Sequence, residues 1–394
     1  MGWTIRAAED DDIPALVRAD WAAFGGQPSE THIEAARDFL EVERALVAED
    51  GDRVVGAGAA LGLELTVPGP VTVPTAGVTY VGVMPTHRRQ GILTALMARM
   101  ADDARRRGEP LAALLASEST IYRRFGYGTA VMASAVELDG AHARLRRPPE
   151  VAGRVRILER DEMEAVLPEI HDRYRRQQPG EVSRTPGWWK RHLNDPEDRR
   201  GGAGPRFAAV WEGGEGFLTY RVTQKWDDGL PGGTLNVENL VAVSPEVRAG
   251  LWQFCFGIDL IRVVKAFVAL DDPLRWMLVD PRRLRTTSVT DFLWVNLLDV
   301  EAALSARTYT SDVGLVLEVA GDGRYRLAGG VCRRTDDLPD LALEAPDLGA
   351  AYLGGVRFTT LARAGLVTEL TPGALARADA LFATAAGPIS TTGF

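Results

Sequence analysis

The segment Val81-Gly82-Val83-Met84-Pro85-Thr86-His87-Arg88-Arg89-Gln90-Gly91-Ile92-Leu93-Thr94 constrains this chain more than any other. Val78 to Val83 is short, apolar and β-branched, as a buried strand is, and Pro85 stops it. From Ile92 onward, Leu93, Leu96, Met97, Met100, Ala101 and Ala104 recur at helical spacing. A helix beginning near Gly91 turns its unpaired N–H groups and positive dipole end toward the preceding turn. That makes an anion site, which Arg88, Arg89 and the backbone-exposing Gly91 sharpen into one for phosphate or pyrophosphate. A solvated charge cluster is the competing explanation. No GxxxxGK[ST] loop is present, and no GxGxxG follows a strand, which disfavours a dinucleotide fold.

At 394 residues the chain is long for one core, so two or three domains are expected. A net charge of −9 argues against nucleic acid as a partner and suits a cationic substrate. Two cysteines, Cys255 and Cys332, are too few for a disulfide framework and point to a reducing cytoplasm. No apolar run reaches about 18 residues and the start lacks a signal-peptide pattern, so neither a membrane nor secretion is expected.

The first part reads as mixed α/β. Thr4–Arg6 is a short strand, followed by an acidic helix start at Asp10-Asp11-Asp12. Arg44–Glu49 and Val54–Leu65 read as strands, then the strand at 78–83, a helix to about 106 and a strand at Leu111–Ala116. A short helical piece, Ser119–Arg124, and a strand from Thr129 to Leu138 complete it. Arg146-Arg147-Pro148-Pro149 is a linker. The second part repeats the rhythm from Val155, with strands at 216–222 and 235–243 and a helix at Ala249–Ile261. Its Leu240-Val241-Ala242-Val243-Ser244-Pro245 echoes Val81–Pro85, but no paired arginines or suitably placed glycine follow. It reads as a degenerate copy; an unrelated α/β domain is the alternative. The third part has strands at Leu293–Leu297, 314–319 and 325–328, helical patterns at Ala342–Leu348 and Gly373–Ala385, and no metal-ligand spacing. The ending Pro388–Phe394 reads by itself as a frayed tail.

Arg88-Arg89-Gln90-Gly91-Ile92-Leu93 fits the R/Q-x-x-G-x-G/A turn of the GNAT acetyltransferases, with Leu93 the one departure. VGVMPTHRRQGILTALM, ASESTIYRRFGYG and the closing aromatic residue together resemble the Eis (enhanced intracellular survival) family of N-acetyltransferases. The resemblance covers essentially the whole chain. It implies an α/β (α+β) architecture of tandem GNAT domains, the second degenerate, plus a sterol-carrier-protein-like domain. On that basis the boundaries are 1–147, 148–287 and 288–394. It also implies acetyl-CoA as co-substrate without a metal, amine acceptors including aminoglycosides, and a homo-hexamer.

Acetyl transfer to an amine needs a proton acceptor, donors for the developing oxyanion and a proton for the departing thiolate. Tyr122, in Tyr122-Arg123-Arg124-Phe125-Gly126-Tyr127, stands where GNAT enzymes carry their acid; an ordinary tyrosine pKa of about 10 suits protonating a thiolate. Tyr127 reads as core packing. No histidine stands out as base: His87 lies on the phosphate turn, and His32, His142, His171 and His192 are scattered. The resemblance assigns the base to the C-terminal carboxylate, here that of Phe394, whose ring then anchors the tail. An α-carboxylic acid of pKa about 3.5 needs burial or a bridging water for that work. Val81, Gly82 and Val83 are expected to meet the pantetheine arm. The turn from Arg89 through Gln90, Gly91, Ile92 and Leu93 to Thr94 is expected to hold the pyrophosphate, and the resemblance implies that Ser117 and Glu118 line the thioester end. Arg88 either reaches the adenosine 3′-phosphate or faces water.

The acceptor is not legible. Trp3, Trp21 and Phe24 offer pocket walls, core packing being the ordinary role of each, and Glu30 and Glu34 read as solvated helix-face charges. Aminoglycosides, protein lysines, polyamines or another small amine stay open. A longer acyl donor, or a non-enzymatic lipid carrier with a large apolar cavity in the third part, are the rival classes.

Overall fold

Among the described residues, two seven-stranded sheets and one five-stranded sheet hold every strand except one short two-stranded pair. The computed structural model describes residues 2–150, 154–197 and 200–394. The first sheet runs in the order Thr4–Ala7, Ala45–Asp50, Arg53–Val67, Val71–Val83, Leu111–Leu114, Trp294–Leu297, Gly128–Thr129. Helices Ile13–Ala23 and Glu30–Phe39 bury Leu16, Val17, Ile33 and Phe39 against one face, and helix Ile92–Arg106 buries Leu96 and Met100 against the other. The alternation of strand Ala45–Asp50 serves both: Ala45 and Val47 face the first pair of helices, Leu46 and Ala48 the third.

The second sheet runs Leu284–Asp291, Met132–Asp139, Ile261–Ala269, Gly233–Ala242, Gly216–Thr223, Phe207–Trp211, Val155–Ile157. Sheet membership therefore crosses the boundaries drawn at 147 and 287. The expected strand Thr129–Leu138 is two strands in two sheets. Its break at Ala130-Val131 arises because both N–H groups donate to the Leu293 carbonyl, each at 3.0 Å, where the chain returns. Trp294–Leu297, expected in the third part, fills the gap between Leu111–Leu114 and Gly128–Thr129 of the first sheet. The two halves are thus interlocked by an exchange of strands.

Other elements also differ from the sequence reading. The helix expected at Ala249–Ile261 runs Pro245–Phe256; Gly257 ends it, and Ile261 opens a strand that pairs parallel with Gly233–Ala242. Strand Val71–Val83 begins seven residues before Val78, and Leu111 ends pairing at Leu114. In the third unit Leu341–Leu343 is a strand, and its helix spans Ala345–Ala351. Both cysteines are buried and unpaired. No helix among the described residues is long and apolar enough to cross a membrane.

Candidate active site

Strand Val71–Val83 pairs in parallel with Leu111–Leu114 only as far as Val78. Beyond that point it continues alone on this side, so the backbone groups of residues 79–83 are open to a ligand. A bulge accentuates the opening. Ala57 opposes Gly82 and Ala59 opposes Thr79, so Tyr80 and Val81 face the single Gly58, and Tyr80 takes φ +50°. Gly82 is required here because a Cβ would stand 2.7 Å from the Cα of Asp20 on the helix packed over the strand.

The turn that follows is left-handed at Arg89 (φ +63°) and at Gly91 (φ +88°), the N-cap of helix Ile92–Arg106. Neither a side-chain cap nor an acidic residue occupies its first turn, so the N–H groups there remain available. Together these elements enclose a cleft of about 380 Å³. Val81, Gly82, Val83, Arg88, Arg89, Gly91, Ile92, Leu93, Thr94, Ser117, Glu118 and Tyr122 all line it, with Phe24 and His87. Of the cofactor residues expected from sequence, Gln90 alone is not among its walls; its carbonyl accepts a bond from Trp3 Nε1 at 3.2 Å. Leu93 packs its half-buried side chain toward the core, which explains how leucine is tolerated where glycine or alanine is usual. Arg88 donates to the Ala23 carbonyl at 2.7 Å, tying the turn to the first helix. His87 pairs with Asp50 at 3.2 Å.

Tyr122 is buried on the short helix Ser119–Tyr122. Burial pushes its pKa up; a hydrogen bond with Ser117 works the other way, while Asp20 and Glu118 reinforce the rise. Tyr127 is fully packed behind it, the rings 6.3 Å apart and edge-on. Arg123 ties this helix to the third domain through Asp347 at 2.8 Å.

The tail is not frayed. Trp188 Nε1 donates to the Gly393 carbonyl at 2.6 Å. The Phe394 ring joins the core beside Gly77, on the same strand that carries Val81–Val83. Gly393 and Phe394 line a cavity of about 360 Å³ with Phe39, Trp188, Arg191 and His192. His171 is buried and His192 half-buried, and desolvation lowers the pKa of both. His32 caps its own helix against Ser29, and His142 is exposed. Phe24, 63 % exposed, is a wall of the cleft and not core.

Two residues escaped the sequence reading. Asp20 lies on the helix face of Leu16 and Val17, and burial pushes it up to about 6 while Arg191 opposes the rise. An acid at the i+4 and i+3 positions of two fully buried residues was the available signal. Arg191, stacked over Phe39 at 4.5 Å and Tyr80 at 5.8 Å, carried none.

The open strand edge, the uncapped helix start and the buried tyrosine are the arrangement of a GNAT acetyltransferase. Acetyltransferase (GNAT) domain models match residues 4–130 and 180–297, and a sterol carrier protein domain model matches residues 300–390. An uncharacterized N-acetyltransferase of Streptomyces avermitilis is 41 % identical, covering 97 % of this chain and 99 % of that one. N-acetyltransferase Eis of Mycobacterium tuberculosis is 35 % identical over 97 % of each. The crystal structure of Eis1 from Mycobacterium abscessus superposes with a TM-score of 0.89 at 34 % identity, covering 99 % of this chain and 100 % of that one. The chain belongs to the Eis family of N-acetyltransferases.

The second GNAT domain shows why one copy lacks the anion site. Its corresponding helix, Pro245–Phe256, is capped by its own Ser244, whose hydroxyl accepts from Val247 N at 3.2 Å, and Glu246 sits in the first turn. A filled N-terminus beside a carboxylate repels a phosphate.

Proposed function

We propose that the protein transfers an acetyl group from acetyl-CoA to a primary amine of a cationic small molecule, with aminoglycoside-type amines the first acceptors to try. The observation that carries this reading is the cleft in which the unpaired strand edge 79–83, the open helix start at Gly91 and Tyr122 meet. Those groups fit the co-substrate: backbone N–H and C=O groups for an amide-bearing arm, and N–H groups with Arg89 for a pyrophosphate. Acetyl-CoA supplies the acyl group as a thioester. Ser117 and Glu118 line its reacting end.

Tyr122, whose raised pKa keeps it protonated at neutral pH, gives its proton to the departing thiolate. The Phe394 carboxylate takes the proton of the acceptor amine, and the burial of its ring supports that role. The exposed apolar side chains Phe267, Leu270, Trp276 and Val279 support assembly as a homo-hexamer, which light scattering tests directly. The decisive experiment is a free-thiol release assay over a panel of acyl-CoAs and amines. Turnover with acetyl-CoA and an aminoglycoside is expected. Preference for a longer acyl chain, or for a peptide lysine, replaces the proposal. Absence of CoA binding by calorimetry removes it.

A further inference from the structure

Glu181 is a carboxylate with no exposure to solvent. It accepts five hydrogen bonds, four of them from the tail: from Thr391 N at 2.7 Å, Thr391 Oγ1 at 2.8 Å, Thr392 Oγ1 at 2.6 Å and Ser390 Oγ at 3.3 Å. The fifth comes from Val182 N. Arg184, also buried, donates to the same two threonine hydroxyls, at 3.0 and 2.8 Å, and to Asn239 at 2.7 Å. Each threonine hydroxyl therefore gives its proton to Glu181 and receives one from Arg184. The carboxylate and the guanidinium are linked through the tail and not directly.

We infer that Glu181 and Arg184 are positioning residues that fix the terminal carboxylate of Phe394 for proton transfer. This rests on the reading of Phe394 as the proton acceptor.

Two features separate this from ordinary packing of a terminus. The first is the chemistry of the clamp. Holding a tail by apolar contact avoids the desolvation of two ions, whereas hydrogen bonds to a buried charge fix register and orientation. Burial works against the charge on Glu181; His171, Arg184 and Thr392 hold it down at about 2 nonetheless. His171, 3.9 Å away, gives the largest of these effects, and Arg184 and the Thr392 hydroxyl, which hold the tail, add to it. The second feature is reach. Two residues span at most about 7 Å, so fixing Thr392 confines the carboxylate of Phe394 to a small volume, and Trp188 narrows it further by holding the Gly393 carbonyl.

The clamp segment is itself anchored to the catalytic domain. Glu181 O accepts from Thr66 N at 2.9 Å, Gly180 N donates to Thr66 O at 2.8 Å, and Ser183 N donates to Glu64 O at 2.9 Å. The GNAT domain that lost its anion site thus supplies a rigid bracket between the strand Arg53–Val67 and the end of the chain.

The test uses the full chain with Glu181→Gln, Glu181→Asp, Thr392→Val and one residue added after Phe394. Carboxypeptidase A release of phenylalanine reports tail docking; thiol release from acetyl-CoA with neomycin and with spermidine reports turnover. Glu181→Gln and Thr392→Val are expected to release Phe394 at least about tenfold faster and to lower kcat by on the order of 10²-fold, with acetyl-CoA KM within about twofold. Glu181→Asp recovers part of both, and a melting temperature near the parent's excludes misfolding as the cause. Unchanged kcat and protection in Glu181→Gln and Thr392→Val, with kcat lost on extension, overturns the clamp and leaves the Phe394 reading intact. Unchanged kcat on extension overturns that reading itself. Where neither amine is acetylated, the release rates decide: equal protection in parent and variants overturns the clamp.

Discussion

The carboxylate of Glu181 and the backbone N–H of Thr391 lie 2.7 Å apart although 210 residues separate them in the chain. Their neighbour His171 sets the pH response of this contact. Burial lowers its pKa from 6.5 to about 4, with Arg184 adding to the fall and Glu181 opposing it. The unfolded chain therefore takes up a proton on His171 before the folded one does, and stability falls as pH drops from about 6.5 through 4. Glu181, lowered from 4.5 to about 2, extends the loss below that window in the same direction. Urea unfolding should give up about 2 kcal/mol between pH 7 and pH 5 from His171. In His171→Gln that slope should flatten; an equally steep slope would assign the pH response to other groups.

Asp20 has the opposite sign. Burial raises its pKa to about 6, so the stability it contributes is complete below about pH 3.8 and lost as pH rises through 6. Asp20→Asn should therefore match the parent near pH 4 and exceed it at pH 8, by about 1–2 kcal/mol allowing for partial solvent contact. Asp20 packs against Gly82, and its charge acts on Tyr122, so it stands next to the proposed cleft. The same variant should lose turnover and lose an inflection near pH 6 in kcat/KM. A variant no more stable at pH 8 than its parent contradicts the burial argument.

The cleft proposed for the donor was legible as a structure because its determinants are local. Strand, proline, arginine pair, glycine and apolar helix are consecutive, and an uncapped helix start is a property of that one stretch. The short helix that brings Tyr122 to its wall was legible through a short pattern. Nothing local marks Trp294–Leu297 as the strand that completes the first sheet, since its partners lie 165 to 186 residues earlier. Glu181 and Arg184 were silent for the same reason: burial made an ordinary-looking loop charge into a bracket, and burial is tertiary. Alternation does not reveal that Thr129–Leu138 divides between two sheets, because both halves are buried strands.

The two arginines of the turn should separate in effect. Arg88 is committed to the Ala23 carbonyl, whereas Arg89 is exposed and takes a left-handed backbone at the mouth of the cleft. Arg89→Ala should raise acetyl-CoA KM about tenfold with kcat retained, the signature of lost uniform binding. Arg88→Ala should raise it less, and the double variant most. A double variant with KM unmoved would leave the helix start without its phosphate.

Tyr122→Phe keeps the ring that packs against Tyr127 and removes only the hydroxyl bonded to Ser117. Thermal stability should hold within about 1 kcal/mol, while kcat falls on the order of 10²-fold and acetyl-CoA KM stays. In the parent the alkaline limb of kcat should lie above the ordinary tyrosine range, because burial raises that pKa. A limb unchanged in Tyr122→Phe would assign the acid role elsewhere.

The third domain buries an arginine in its interior. Arg307 is 2 % exposed and donates to the carbonyls of Thr308 at 3.3 Å, Phe382 at 3.1 Å and Tyr352, with the rings of Tyr309 and Phe382 stacked on it. Among the described residues no carboxylate pairs with it. Burial lowers its pKa, and Tyr309 and Tyr352 oppose that. The groove of about 920 Å³ on this domain has a mixed lining, with Glu318, Asp322, Arg324 and Arg334 beside Val319, Leu343 and Leu366. Arg307→Ala leaves three carbonyls unanswered and a void, and should cost on the order of 3 kcal/mol in urea unfolding. Arg307→Met fills the void but not the carbonyls and should cost about half as much. Because the Phe382 carbonyl begins the path to the tail, both variants should also release Phe394 faster to carboxypeptidase A. A stability within about 0.5 kcal/mol of the parent in Arg307→Ala would show that the guanidinium is a passenger.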